Sequence, residues 1–235
     1  MEGLGKRIQI VFFLFLILLN FPCFSQIGIQ NNVISEKIRF PLWAQLDAYP
    51  GIEIDENQNN NVFSYAISRL KETAPFFAEG IICGWKFSYT PSDKTRNVKE
   101  FFEFTPIYDF STVGKISYEN PWIDENRLYC WVEFECSPQI TSWLKQWHSS
   151  KYNKISGKGY GLLSDGFDGI KDASAEALKN AIRSYARSIT KNKPKEIIGE
   201  VIISKNPGLG IQSGRYVVSL DFFLNISRIL CYSIY

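Results

Sequence analysis

Apolar and polar residues alternate strictly over residues 128–136, and this period of two limits the segment to a β-strand with one buried face. The apolar positions are Leu128, Cys130, Val132, Phe134 and Cys136. The opposite positions are Tyr129, Trp131, Glu133 and Glu135. A strand with one apolar face requires neighbouring strands and a second layer of structure that covers this face.

Other segments carry the signs of further strands. The remaining predicted strands cover residues 81–89, 98–105, 113–118, 160–163, 197–204 and 215–224. The polar residues 91–93 predict a turn between the first two of these strands. Residues 206–208, with the sequence Asn-Pro-Gly, predict a turn between the last two, which fit an antiparallel hairpin.

Three segments repeat apolar residues at spacings of three and four, as amphipathic helices do. The first follows the polar cluster at 57–61 and is predicted to end before Pro75, since proline cannot continue the hydrogen-bond ladder. The second begins with Ser137 as N-cap and Pro138 in the first turn, and the third is predicted to begin at Asp172. Their apolar stripes are Val62, Phe63, Ala66, Ile67 and Leu70; Ile140, Trp143, Leu144 and Trp147; and Ala177, Leu178, Ala181, Ile182, Tyr185 and Ile189.

These elements predict an α+β fold, mainly an antiparallel sheet with helices packed on one face. The order helix, strand, strand occurs twice, over about 58–106 and about 172–224. Two tandem α-β-β units and a single sheet with two helices on one face both account for this order. The predicted division is residues 1–25, a first α+β unit at 26–150 and a second α-β-β unit at 151–235.

The first 25 residues have the three parts of a secretory signal peptide. Lys6 and Arg7 give a positive start, residues 10–19 form an unbroken apolar run, and residues 23–25 place small residues at the positions that precede cleavage before Gln26. The run is too short to span a membrane comfortably. We therefore expect an exported protein that is soluble or peripherally associated with a membrane. The segment is either cleaved or retained as an anchor.

The charge of the chain argues against nucleic acid as a partner. The formal net charge is +2, and the 26 basic residues are scattered rather than collected in a stripe. A protein that binds nucleic acid needs a concentrated positive surface to displace counterions from the phosphates.

Four cysteines follow the first 25 residues, namely Cys83, Cys130, Cys136 and Cys231. Export would permit disulfides. Cys130 and Cys136 would lie roughly 20 Å apart along one strand, which is too far for a bridge between them. Other pairings and buried free thiols both remain compatible with the sequence.

No group of residues predicts catalysis, a metal site or a cofactor. His148 is the only histidine, the chain has no Cys-x-x-Cys motif, and Asp165, Asp168 and Asp172 lack the spacing of a calcium loop. The glycine-rich residues 157–161 lead into an apolar strand and not into the helix that a phosphate loop requires, so we interpret them as a flexible joint. Paired carboxylates at Glu133 and Glu135 are the remaining catalytic hypothesis, and nothing else in the sequence supports it.

Binding is a stronger hypothesis for the polar face of the strand at 128–136. Trp131 and Tyr129 are predicted to lie on the exposed side with Glu133, where they would form an aromatic surface for a glycan or a peptide. The other tryptophans at 85, 143 and 147 fit the predicted core stripes.

Several short motifs resemble a known family. These are Pro41-Leu42-Trp43, residues 49–52 with the sequence Tyr-Pro-Gly-Ile, the following amphipathic helix, and Trp122-Ile123-Asp124 ahead of residues 128–132. They resemble the opening of the twenty-kilodalton outer-membrane lipoprotein family, which is similar to the N-terminal domain of flagellar assembly protein T. The resemblance covers about 41–136, and residues 159–224 look like the same kind of unit. It implies an envelope location, in the periplasm or at the outer membrane, an assembly or structural role and no catalytic residues.

Taken together, these features predict an exported cell-envelope protein without catalytic activity. It would act through contacts with other envelope proteins or with itself. The alternative is a periplasmic or extracellular binding module for glycan or peptide that uses Trp131, Tyr129 and Glu133.

Overall fold

The computed structural model describes residues 37–48, 63–112 and 114–232. The predicted signal peptide, the motif at 49–52 and the polar cluster at 57–61 lie outside the described residues. The strands are β1 (Lys37–Gln45), β2 (Trp85–Thr90), β3 (Phe101–Pro106), β4 (Ile116–Asp124), β5 (Arg127–Glu135), β6 (Asn153–Leu162), β7 (Glu196–Ile203), β8 (Gly208–Gln212) and β9 (Arg215–Leu230). The helices are α1 (Ser64–Ile82), α2 (Pro138–Trp147) and α3 (Phe167–Ile189).

The strands form two antiparallel sheets, which confirms the α+β prediction. The smaller sheet has the order β1-β5-β4. The larger sheet has the order β3-β2-β7-β9-β6, and β8 pairs with the first half of β9. The turn before β9 is at Ser213 and Gly214, both with positive φ, so the turn predicted at 206–208 instead leads into β8.

The larger sheet contains strands from both predicted units. In the first unit α1 is followed by β2 and β3, and in the second α3 is followed by β7 and β9. β2 pairs with β7, from Trp85 opposite Val201 to Tyr89 opposite Ile197. The repeated order of elements therefore builds one continuous sheet across both units.

Helix α1 lies between the two sheets and is longer than the sequence pattern predicts. Pro75 lies inside it and does not end it. An internal proline costs about 3 kcal/mol, whereas burial of one large apolar side chain contributes about 1.5–3 kcal/mol. Phe77 and Ile82, beyond Pro75, are both buried in the core. The helix continues because this burial offsets the cost of the proline.

The longer α1 also corrects the start of the next strand. Ile81 belongs to the helix and Cys83 caps it, so neither lies in the strand predicted at 81–89. Gly84 then takes a φ of +73°, which a residue with a side chain rarely adopts, and β2 begins at Trp85.

Helix α2 matches its prediction closely and packs on the face of the larger sheet opposite to α3. The hydroxyl of Ser137 accepts a hydrogen bond from the N–H of Ile140 at 3.3 Å, as expected of an N-cap. Leu144 and Trp147 are buried and pack with Ile202 and Phe223. The indole N–H of Trp143 donates to the carbonyl of Ile82 at 3.0 Å and so satisfies the end of α1.

Helix α3 begins at Phe167, after Gly166, so the predicted cap at Asp172 is wrong and Asp172 lies within the helix. Small residues let its backbone approach β6 closely. A Cβ atom added at a glycine of β6 would lie within about 2 Å of a backbone carbonyl oxygen of α3. The distances are 2.0 Å from Gly157 to Ala177, 2.1 Å from Gly159 to Ala173 and 1.8 Å from Gly161 to Gly169. Every second residue of a strand advances about 6.6 Å, and every fourth residue of a helix advances about 6.0 Å. The alternate glycines of β6 therefore match successive turns of α3.

The interpretation of residues 157–161 as a flexible joint is therefore wrong. These glycines are the middle of β6, which pairs with β9 along its whole length. They alternate because only one face of the strand meets the helix, and that face has no room for a side chain.

An ionic cluster ties α3 to the β2–β3 hairpin. Glu100 forms ion pairs with Arg183 and, at 3.1 Å, with Lys179. The hydroxyl of Tyr89 donates to Glu100 at 3.0 Å and accepts from Nε of Arg183 at 3.1 Å. Desolvation raises the pKa of Glu100, but the hydrogen bonds from Arg183, Lys179 and Tyr89 outweigh it, so the pKa is lowered overall.

We expect Gly159→Ala to destabilise the protein by about 1–3 kcal/mol or more, because the new methyl group would overlap the α3 backbone. Unfolding in urea measures the free energy. The matched control is Gly210→Ala in β8, where the nearest atom to the added Cβ is 4.0 Å away. Equal stability of the two variants would contradict the close contact between β6 and α3.

We expect Glu100→Gln to lower stability at neutral pH and to lose this effect in acid. A carboxylate whose pKa is lowered by folding stabilises the fold above its unfolded pKa of about 4.3, and the contribution disappears as pH falls through the folded value. Urea unfolding of both proteins across this pH range measures the difference. A gap between wild type and variant that stays constant down to the most acidic pH would refute the assignment.

Candidate functional site

The predicted binding residues Trp131, Tyr129 and Glu133 lie on one face of β5, as the alternation indicates. This is the outer face of the smaller sheet, away from α1, and Trp131 and Tyr129 are half-buried there. The inner face holds Leu128, Cys130, Val132 and Phe134, which are all buried in the core.

Glu133 is not open to a ligand, which corrects its predicted place on an exposed face. It is only 7% exposed and forms ion pairs with Lys37 and, at 2.9 Å, with Nε of Arg39. The guanidinium of Arg39 lies 4.2 Å from the ring centre of Trp131. Glu133 therefore holds Arg39 against one face of this tryptophan.

The aromatic rings on this face mainly contact one another. Trp122 of β4 stacks on Tyr129, with ring centres 5.1 Å apart and planes at 13°, and lies 6.2 Å from Trp131. Trp43 of β1 lies 6.3 Å from Tyr129, and its indole N–H donates to the carbonyl of Leu209 at 3.1 Å. The surface that the sequence predicts is thus a layer of aromatic rings that already contact one another.

An apolar groove lies on the other side of β4. Its volume is about 430 Å³. One wall is the N-terminal half of α1, and the other consists of β4 and the start of β5. The lining residues are Phe63, Ile67, Leu70, Lys71, Tyr118, Pro121, Trp122, Ile123, Leu128 and Cys130.

The groove exists because the inner face of the smaller sheet extends past the helix that covers it. Tyr118 pairs with Val132, and Ile123 pairs with Leu128. Both β5 partners are buried, yet Tyr118 is 39% and Ile123 is 52% exposed. The edge strand β4 therefore presents core-type residues to solvent.

A β-bulge places Trp122 at the rim of the groove. Glu119 pairs with Trp131 and Trp122 pairs with Tyr129, so Asn120 and Pro121 together oppose Cys130. Asn120 has a φ of +47°, which asparagine tolerates better than most residues. Because the extra residue shifts the alternation, Trp122 contacts both the outer aromatic layer and the groove. The sequence pattern did not reveal this, since the predicted strand stopped at residue 118.

A second depression lies at the end of α3 and has a volume of about 500 Å³. Its basic residues are Arg183, Arg187, Lys191 and Lys193. Arg183 is bound to Glu100 and Tyr89, and Lys193 donates to the carbonyl of Ser92 at 2.9 Å. Positive charge also stabilises the carbonyl end of a helix. Contacts within the protein therefore explain much of the positive charge in this depression without a ligand.

The reactive side chains of the described residues do not converge on a site. Over residues 37–48, 63–112 and 114–232, no three His, Cys, Asp or Glu side chains are placed to hold a metal ion. The four cysteines in this part of the chain are unpaired. Burial raises the pKa of Cys83 to about 12 and that of Cys130 to about 11, which suppresses the reactive thiolate. Loss of solvation, together with Lys154, lowers the pKa of His148.

Within the same described segments, none of the helices combines the length and the apolar character needed to cross a bilayer. Comparison with known proteins finds a relative in Treponema pallidum (strain Nichols), an uncharacterised protein. It is 29% identical over 199 residues, which cover 84% of this chain and 83% of the relative. No solved structure matches the chain.

A protein-family model matches residues 23–232. This match includes all the strands and helices described above. The chain therefore belongs to the family that this model defines.

Proposed function

We propose that this chain is an exported, non-catalytic protein of the cell envelope that binds an apolar segment of another protein in the groove between α1 and β4. The observation that carries the proposal is the exposure of core-type residues along β4. Tyr118, Trp122 and Ile123 are 39%, 38% and 52% exposed although they border a continuous apolar surface. Exposed apolar patches of this kind mark binding sites.

The composition of the groove favours a protein segment over a glycan. Sugars need ring faces that are free to stack and polar groups beside them. Here one face of Trp131 is covered by Arg39, and Trp122 stacks on Tyr129. The polar groups of the lining side chains are the amine of Lys71, the hydroxyl of Tyr118 and the indole N–H of Trp122, and the other lining side chains are apolar.

The shape of the groove favours a protein segment over a lipid chain. An acyl chain is retained best in an enclosed cavity that removes most of its surface from water. This groove is open along β4, so it can accept apolar side chains while the backbone that carries them stays outside. Lys71 at its rim complements an acidic residue or a terminal carboxylate on the bound segment.

Export is supported by the sequence of the first 25 residues and by the resemblance to envelope proteins. The basic start, the apolar run at 10–19 and the small residues at 23–25 fit a cleaved signal peptide. An envelope protein without catalytic groups then acts by holding partners together, as the resemblance to an assembly family implies.

We expect the mature protein to begin at Gln26 and to be found outside the cytoplasm. Mass spectrometry of the N-terminal peptide, after separation of periplasm, membranes and cytosol, measures both. An intact Met1 terminus in the cytosolic fraction would refute export. An intact terminus in the membrane fraction would show that the segment is retained as an anchor.

We expect Ile123→Glu to weaken peptide binding at least about tenfold, or about 1.4 kcal/mol. The substitution places a carboxylate in the apolar groove, and its cost to folding is small because Ile123 is already half exposed. The probe is a peptide selected by phage display of random sequences against the whole protein, produced in an exporting host. Binding is titrated by tryptophan fluorescence, to which Trp122 at the rim contributes.

The matched control is Leu162→Glu, because Leu162 is also an exposed apolar strand residue, at 49%, but lies on β6. It should leave the affinity unchanged. The proposal predicts that the selected peptides combine apolar residues with an acidic group. It fails if no selected peptide depends on Ile123, or if palmitate or an oligosaccharide binds at Ile123 in place of peptides.

A further inference from the structure

The outer edge of β4 is the feature from which a second interaction follows. β4 pairs with β5 on one side, and no strand among residues 37–48, 63–112 and 114–232 pairs with its other side. Residues 116–119 form the regular part of β4, since the bulge begins after Glu119. An open edge of this kind offers backbone N–H and C=O groups to another extended chain.

The charges along this edge are arranged symmetrically. Glu119 lies two residues after Ser117, on the outer face of the sheet. Lys115 directly precedes β4, two residues before Ser117, so a backbone that stays extended there puts its side chain on the same face. Both are exposed, and Glu119 also lies near enough to Lys37 of β1 to contribute to the raised pKa of that lysine. When such a strand pairs with an antiparallel copy of itself about the central residue, each positive charge faces a negative charge of the other copy.

We propose that β4 pairs with β4 of a second copy of this chain, antiparallel, about a two-fold axis that lies midway between the two copies of Ser117. Lys115 then faces Glu119 of the second copy, and Glu119 faces Lys115 of the second copy. On the inner face Ile116 meets Tyr118 of the second copy, so a branched aliphatic side chain packs on an aromatic ring at both ends. Cross-strand pairs of both kinds stabilise antiparallel sheets.

The charges select this register over its neighbours. A two-fold axis perpendicular to the sheet maps each face of the sheet onto itself, and directly opposed residues of antiparallel strands share a face. The axis therefore lies midway between the two copies of one residue, and each possible register is named here by that residue. An axis at Glu119 would place two carboxylates opposite each other, and an axis at Ile116 or Tyr118 would pair one charge with Ser117. Only the axis at Ser117 pairs unlike charges twice.

This pairing extends the proposed function without depending on it. It would join two three-stranded sheets into one sheet of six, and the apolar grooves beneath the two β4 strands would lie side by side at the axis. The interaction rests on the edge and its charges, so it holds whether or not the grooves bind peptides.

The test is the mass of the whole protein, produced in an exporting host, measured by analytical ultracentrifugation over a range of concentrations without any peptide. We expect a monomer–dimer equilibrium. Lys115→Glu and Glu119→Lys should each weaken the dimer at least about tenfold, because the symmetry turns both unlike pairs into like pairs. The double variant Lys115→Glu/Glu119→Lys restores both unlike pairs and should recover the wild-type equilibrium.

Cross-linking locates the axis. A cysteine at Ser117 would face its own copy at the distance of a cross-strand pair, about 4.5–5.5 Å between Cα atoms, which a disulfide spans. On oxidation, Ser117→Cys should form more disulfide-linked dimer than the parent chain does. The control is Glu103→Cys, because Glu103 is exposed on the edge strand β3 of the larger sheet. This variant should not form more disulfide-linked dimer than the parent chain.

Unchanged circular dichroism of the variants separates loss of pairing from loss of folding. A wild-type protein that stays monomeric at every concentration would overturn the proposal and would show that these charges protect the edge from association. A double variant as weak as the single ones, or equal cross-linking at 103 and 117, would also overturn it. Peptide binding to the groove is measured separately, so its failure leaves this result unaffected.

Discussion

The burial of α1 between two sheets is the interaction on which the rest of this structure depends. Its buried residues belong to the same continuous core as the inner face of the smaller sheet and one face of the larger. This contact outweighs the cost of Pro75, sets the position of β2 and brings the two sheets into one body. Trp143 of α2 and Trp43 of β1 add hydrogen bonds that fix the helix end and the sheets in place.

The same packing creates the candidate site. A helix covers a sheet only over its own width, and α1 leaves the outermost strand of the smaller sheet partly uncovered. The bulge at Asn120 and Pro121 then stacks the ring of Trp122 on Tyr129, at the rim of the groove. The groove is therefore a by-product of core packing that exposes residues which in another context would be buried.

Much of the fold could be predicted from the sequence, because strands and helices with one buried face leave clear periods. The strand at 128–136 and the helix after Ser137 are confirmed nearly to the residue. The errors arose where tertiary contacts override local rules. Helix α1 continues past Pro75 because the residues beyond it are buried. The glycines of β6 are required by close contact with α3, which local sequence patterns do not show. The groove could not be predicted, since it depends on where a helix ends relative to a strand edge.

The buried thiols have a consequence for how such a chain matures. In the oxidising compartment to which we propose that it is exported, Cys83 and Cys130 can enter disulfides only while the chain is unfolded. Once the core forms around them, they are shielded from oxidants and exchange partners alike. The time between translocation and the closure of the core is thus the period in which wrong disulfides can form.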